Sequence, residues 1–204
     1  ALTQDPQTQK ANRSFQALGA GLTFMTQPIA AETEITGPSA LKLFISSSTE
    51  DADIFSVLRI FSPDMREVVF QGAIDPHTPI GQGWLRASHR KLDAALSQPW
   101  RPYHTHDQRQ PLQPGVPVEL EVEIWPTSIV VPAGYRIALT IRGKDYEHAC
   151  SGGKLSNFKN ELRGCGPFLH NDPADRPEKL FGGKTTLHTD SNRQPFLLLP
   201  IIPK

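Results

Sequence analysis

Cysteine is scarce in this sequence, long apolar runs are missing, and charge of neither sign is in excess. Only Cys150 and Cys165 occur among 204 residues, too few for a disulfide-dense scaffold or a four-cysteine metal centre. The pair could close a disulfide worth about 3 kcal/mol in an oxidising compartment, or remain two idle thiols; both readings stand. Lys plus Arg and Asp plus Glu each number 21. No segment concentrates enough basic side chains to neutralise a run of phosphates, which argues against a nucleic-acid partner. No apolar stretch approaches bilayer-spanning length, so no membrane partner is expected. The opening residues, Ala1-Leu2-Thr3-Gln4-Asp5-Pro6, lack the charged start and apolar stretch of a signal peptide. That slightly favours the cytoplasm and leaves the compartment open.

Helical periodicity is nearly absent as well. Ala87 to Leu96 is the one candidate for a short helix. Nineteen Pro and fifteen Gly, about one residue in six, demand frequent turns. Between the turns, segments alternate with period two. The clearest is Val118-Glu119-Leu120-Glu121-Val122-Glu123-Ile124, with an aliphatic residue at every second position and a glutamate at each position between. This is a strand with one buried and one wet face. Tyr135, Ile137, Leu139 and Ile141 repeat the pattern, and Pro132-Ala133-Gly134 suits a turn between neighbouring antiparallel strands. Leu41 to Ser46, Ile54 to Phe61, Val68 to Ile74 and Phe196 to Ile202 read as further strands. A chain of this length can bury about 70% of its unfolded surface. The pattern predicts an all-β protein, an antiparallel jelly-roll β-sandwich. Residues 1–20 read as a polar lead-in and 21–204 as one domain. Within it, a long glycine-rich loop region, about residues 143–184, suits a binding or interface role.

The sequence offers no catalytic constellation. A serine hydrolase needs an elbow of the form G-x-S-x-G, and Gly37-Pro38-Ser39-Ala40-Leu41 lacks its second glycine, so Ser39 reads as a turn residue. Ser151, ahead of Gly152-Gly153, reads as a loop residue. His104-Thr105-His106 would place two imidazoles on one face of an extended segment, with Asp75, His77 and Asp107 nearby in sequence, making a weak metal candidate. Asp51 and Asp53 resemble half of a calcium site, but the simpler expectation is that they cap the turn entering the Ile54 strand. Glu119, Glu121 and Glu123 form a solvated face. No cofactor is expected.

The order of motifs carries more information than any one of them. Glu34-Ile35-Thr36-Gly37-Pro38 leads into Leu41-Lys42-Leu43-Phe44-Ile45-Ser46-Ser47-Ser48 and Asp51-Ala52-Asp53-Ile54. Gly83-Trp84-Leu85-Arg86-Ala87-Ser88-His89-Arg90 follows, then Pro111-Leu112-Gln113-Pro114-Gly115 and Ile124-Trp125-Pro126-Thr127. Pro132-Ala133-Gly134-Tyr135-Arg136-Ile137 and the closing Leu198-Leu199-Pro200-Ile201-Ile202 complete the series. Across residues 22–203 this order resembles the C-terminal, non-catalytic domain of the X-prolyl dipeptidyl-peptidase and cocaine esterase (CocE/NonD) hydrolases. The resemblance implies a galactose-binding-domain-like jelly roll packed on an α/β-hydrolase domain that carries the Ser-Asp-His triad. It also implies structural roles for Gly37, Pro38, Asp51, Asp53, Gly83, Arg86, Arg90, Gly134, Arg136 and Pro200. Tyr135 stands where that family commonly has His, so no role is carried over to it. The implied function is an accessory domain that helps to shape the substrate pocket of a serine esterase or dipeptidyl-peptidase, with that catalytic domain as partner and a homo-oligomer also compatible. The alternative from another class is a stand-alone carbohydrate-binding module, for which Trp84, Trp100 and Trp125 are the candidate platform. Trp84 and Trp125 read as core or interface.

Overall fold

The computed structural model describes residues 11–72, 75–149, 161–166 and 169–203. Among the described residues, ten strands form two five-stranded antiparallel sheets. The first contains β1 (Ala11–Gln16), β3 (Thr33–Ser47), β7 (Val118–Val131), β9 (Lys184–Thr189) and β10 (Phe196–Leu198). The second contains β2 (Leu22–Met25), β4 (Asp53–Phe61), β5 (Glu67–Val68), β6 (Gly81–Arg86) and β8 (Arg136–Arg142). The inward residues of both sheets, among them Ile35, Leu41, Leu120 and Val122 from one and Ile54, Leu58, Leu139 and Ile141 from the other, make one continuous core. That face-to-face burial is what makes two sheets a sandwich.

The glutamate-aliphatic alternation lands as the residue pattern requires: Leu120, Val122 and Ile124 are buried on β7. Register pairs Lys42 of β3 with Glu121, and its ammonium lies 2.7 Å from Glu119 and 3.1 Å from Glu121. The carboxylate row thus has a cation that pattern reading along one strand does not supply.

Several expectations are corrected. β7 and β8 are not sheet neighbours: β7 pairs with β3, and β8 pairs with β2 and β4. The Pro132–Tyr135 turn therefore carries the chain from one sheet to the other, held by the Gly134 N–H to the Ile29 carbonyl (2.9 Å), with Gly134 at φ 86. β3 begins at Thr33 rather than Leu41, because Gly37-Pro38 forms a bulge inside the strand and not a turn before it. The missing proline N–H is tolerated where ladder pairing lapses. Ser39 is accordingly a fully buried strand residue. Residues 11–16, read as lead-in, pair along β9. The helix candidate at 87–96 shrinks to a single 3-10 turn, Ala87–His89. The strand expected over 68–74 is the two-residue β5 followed by a Phe70–Thr78 bridge, its last two residues lying outside the described ones. Only Phe196–Leu198 of the closing segment is strand, with Ile201 bridging Ile35.

β4 is buried along nearly its whole length rather than on alternate residues. Its inner face meets the core, and its outer face lies under the 143–184 segment: Asp53 bonds Arg176, and Phe55 packs edge-on against His170 at 5.4 Å. Gln82 on β6 likewise donates to the Gly164 carbonyl (2.6 Å). The described residues of the long loop region, Gly164, His170 and Arg176 among them, thus lie on the outside of the second sheet.

Candidate functional site

A cleft of about 440 Å³ opens on that same outer face, beside the seam where β6 and β7 meet. Gly81 and Gly83 let the two strands approach, since a Cβ on Gly81 would already touch the Ile124 side chain at 3.1 Å. Trp84 and Trp125 flank the seam and point outward, 41% and 60% exposed, with ring centroids 5.1 Å apart and planes tilted by 49°. They are therefore not core residues. They form a notch rather than a flat platform. Glu123, His89, His106 and His170 complete the rim.

Ion pairs build the floor. Asp53, buried, receives Arg86 through two contacts (2.9 and 3.1 Å) and the Nε of Arg176, whose side chain is largely covered, at 2.7 Å. Arg86 turns its remaining donors on Asp175 at 3.0 and 2.9 Å, and its plane lies over the Phe181 ring at 4.4 Å. Bidentate pairing of this kind is what the guanidinium fork favours. The hydrogen bonds that Arg86 donates to Asp53 first, then to Asp175, raise its pKa above the ordinary arginine value, and the same hydrogen bond lowers that of Asp175. Arg176 also donates to the carbonyls of His170 and Gly143. His170 itself is held by Asp145, through its backbone N–H (2.7 Å) and its Nδ1 (2.8 Å). The segment is thereby fastened to its own sheet. No large hydrophobic side chain among its described residues is exposed.

The histidine pair expected from sequence is rearranged. Lys91–Asp93 and Tyr103–Thr105 pair backbone to backbone, with a bridge between Leu92 and His104. This folds the 91–105 loop back onto the 3-10 turn. His106 has φ 52, and its Nδ1 lies 3.2 Å from the Nδ1 of His89. His104 and His106 are farther apart, with ring centroids 6.1 Å from each other. Burial, chiefly, holds the His104 pKa below its ordinary value, and its buried Nε2 has no partner.

The remaining predicted residues have structural positions. Asp51 Oδ1 accepts the N–H groups of Ala52 and Ser88, both at 3.0 Å, tying the turn before β4 to the 3-10 turn. Asp51 and Asp53 thus serve backbone N–H groups and guanidiniums. Arg90 donates to the carbonyls of Ala87 and Gln110, and Arg136 to that of Thr26. Gly37, at φ 133, faces Pro200, 3.2 Å from the position its own Cβ would take. Asp75 accepts the N–H groups of His77, Gly164 and Gly166, and Asp107 binds Lys91. Among the described residues no three metal-ligating groups converge. Cys150 and Ser151 lie outside the described residues, so the disulfide reading does too. Burial pushes the Cys165 thiol up to about 11. Sequence reading missed the joining of Asp53 and Arg86 to Asp175-Arg176 and of His89 to His106. Neither has a local signal, since each partner is contributed by a distant loop.

A family profile for the X-Pro dipeptidyl-peptidase C-terminal non-catalytic domain matches residues 1–197. The chain belongs to this family. Two curated relatives, named "Putative serine esterase Mb1866c" from Mycobacterium bovis and "Putative serine esterase MT1883" from Mycobacterium tuberculosis, are each 33% identical over 132 residues, 62% of this chain and 19% of their own length. The chain thus spans about a fifth of those relatives. A CocE/NonD family hydrolase from Staphylococcus aureus superposes with a TM-score of 0.78 at 22% identity, over 95% of this chain and 33% of that one. An aminopeptidase from a marine-sediment thaumarchaeon reaches 0.56 at 16% identity, covering 90% and 26%. At these identities the shared property is the fold.

Proposed function

We propose that this X-Pro dipeptidyl-peptidase C-terminal domain packs on a serine α/β-hydrolase catalytic domain of the esterase or dipeptidyl-peptidase type, and that its Trp84–Trp125 cleft forms one wall of that enzyme's substrate pocket. Family membership and the relatives' esterase names support the class. The observation that carries the pocket role is the exposed tryptophan pair above an ion-paired floor. Two large aromatic faces left in water at one cleft are characteristic of a surface that another body covers, and pockets concentrate at domain junctions. The rigid floor fixes the wall's shape. Ser39, 0% exposed, cannot meet a substrate, and in this reading the reacting groups belong to the catalytic domain.

The test is hydrogen exchange and hydroxyl-radical footprinting of the chain alone and joined to the catalytic domain. Protection of Trp84 and Trp125 in the joined form is expected. Equal labelling in both forms, with protection on another face, overturns the pocket role. Saturable oligosaccharide binding at the notch by the chain alone would instead support the carbohydrate-binding alternative.

A further inference from the structure

We propose that His89 and His106 bind one divalent transition-metal ion through their Nδ1 atoms, with water completing the coordination in the cleft. Two ligand nitrogens each about 2.0–2.1 Å from a tetrahedral ion lie about 3.3 Å from one another, and the two Nδ1 atoms are 3.2 Å apart. Their approach does not come from neighbours in sequence. The 3-10 turn holds His89, its Ser88 N–H fixed on Asp51, while the folded-back 91–105 loop delivers His106 in a left-handed backbone conformation, φ 52. L-residues enter that region at a cost.

The surroundings suit a metal better than a charged partner. Neither ring has an ion pair with a carboxylate among the described residues. Asp107, the closest acid in sequence, is occupied by Lys91 and Thr105. A third imidazole, His104, stands beside the pair with a buried, unpartnered Nε2. Only two of these imidazoles approach each other as placed, so the proposed ion takes two protein ligands and water, unlike a structural zinc centre closed by four protein ligands. An all-imidazole donor set selects zinc, nickel, copper or cobalt over magnesium and calcium, which demand oxygen ligands. His89 and His106 line the cleft that also contains Trp84, Trp125 and Glu123.

The test is calorimetric titration of the tag-free chain with zinc chloride, then magnesium chloride, comparing wild type, His89→Gln, His106→Gln and, as control, His188→Gln on β9. One equivalent of zinc and no magnesium should bind. The two cleft variants should each weaken zinc by about tenfold or more, since even changes outside the ligand shell commonly cost tenfold; the control should not. A second readout requires no variant: zinc should shift the ring-proton resonances of His89 and His106 in the wild-type chain. Unshifted His89 and His106 resonances at saturating zinc, or equal affinity in wild type and both cleft variants, overturns the proposal.

Discussion

A Cβ on Gly83 would lie 1.8 Å from the carbonyl oxygen of Glu123. The backbones of β6 and β7 therefore touch across the open edge of the sandwich, and only glycine fits between them. Gly83→Ala must separate the sheets and should cost about 3 kcal/mol or more. Gly115→Ala meets nothing within 4 Å and should lose only the roughly 1–2 kcal/mol of its left-handed backbone. Urea denaturation of the two variants checks the order, and equal losses would refute the seam.

The floor of the cleft predicts a second contrast. Asp53→Ala leaves Arg176 and Arg86 facing each other without their shared carboxylate and should destabilise by about 3–5 kcal/mol. Asp175, 62% exposed at the side chain, makes a solvent-screened pair, and Asp175→Ala should cost no more than about 1 kcal/mol. Limited proteolysis should show the 161–181 region cut sooner in Asp53→Ala alone.

On β7, Val122 is fully buried and Glu121 shares Lys42 with Glu119. Val122→Asp should cost several kcal/mol and Glu121→Gln within about 0.5 kcal/mol. Equal urea midpoints would mean that the strand faces the other way.

His104 sets a pH dependence. Burial holds its folded pKa below the unfolded 6.5, so the unfolded chain binds the extra proton. Its contribution is fully present above about pH 6.5 and declines as the pH falls toward the folded value. His104→Gln should flatten the stability profile in the range just below pH 6.5, in melting curves recorded across that range. An unchanged slope would contradict the burial.

The alternation of β7 was legible in the sequence because that strand has one wet face, and that of β8 because its large aliphatic residues alternate with Ala138 and Thr140, although those two are buried as well. The pairing of those strands was not, since the Pro132–Tyr135 turn looks the same whether it closes a hairpin or crosses between sheets. β4 showed as a strand but gave no sign of its buried outer face, because the cover is a glycine-rich segment more than 80 residues away in sequence. At the site, the motifs around Asp53, Trp84, Arg86, His89 and Trp125 marked positions without revealing that they converge. Trp84 and Trp125 read as core or interface because they lie in strand contexts that match the family's motifs. Their exposure depends on the β6–β7 seam, a long-range contact with no local signature.

The pocket-wall role is tested most directly in an esterase that carries this domain, comparing wild type with the Trp84→Ala, Trp125→Ala double variant on a small acetyl ester and a bulky aromatic ester. The account predicts a change in kcat/KM for the bulky ester of about tenfold or more against a near-constant value for the acetyl ester, with fluorophosphonate labelling of the catalytic serine unchanged. A proportional change for both esters, or none for either, would contradict it.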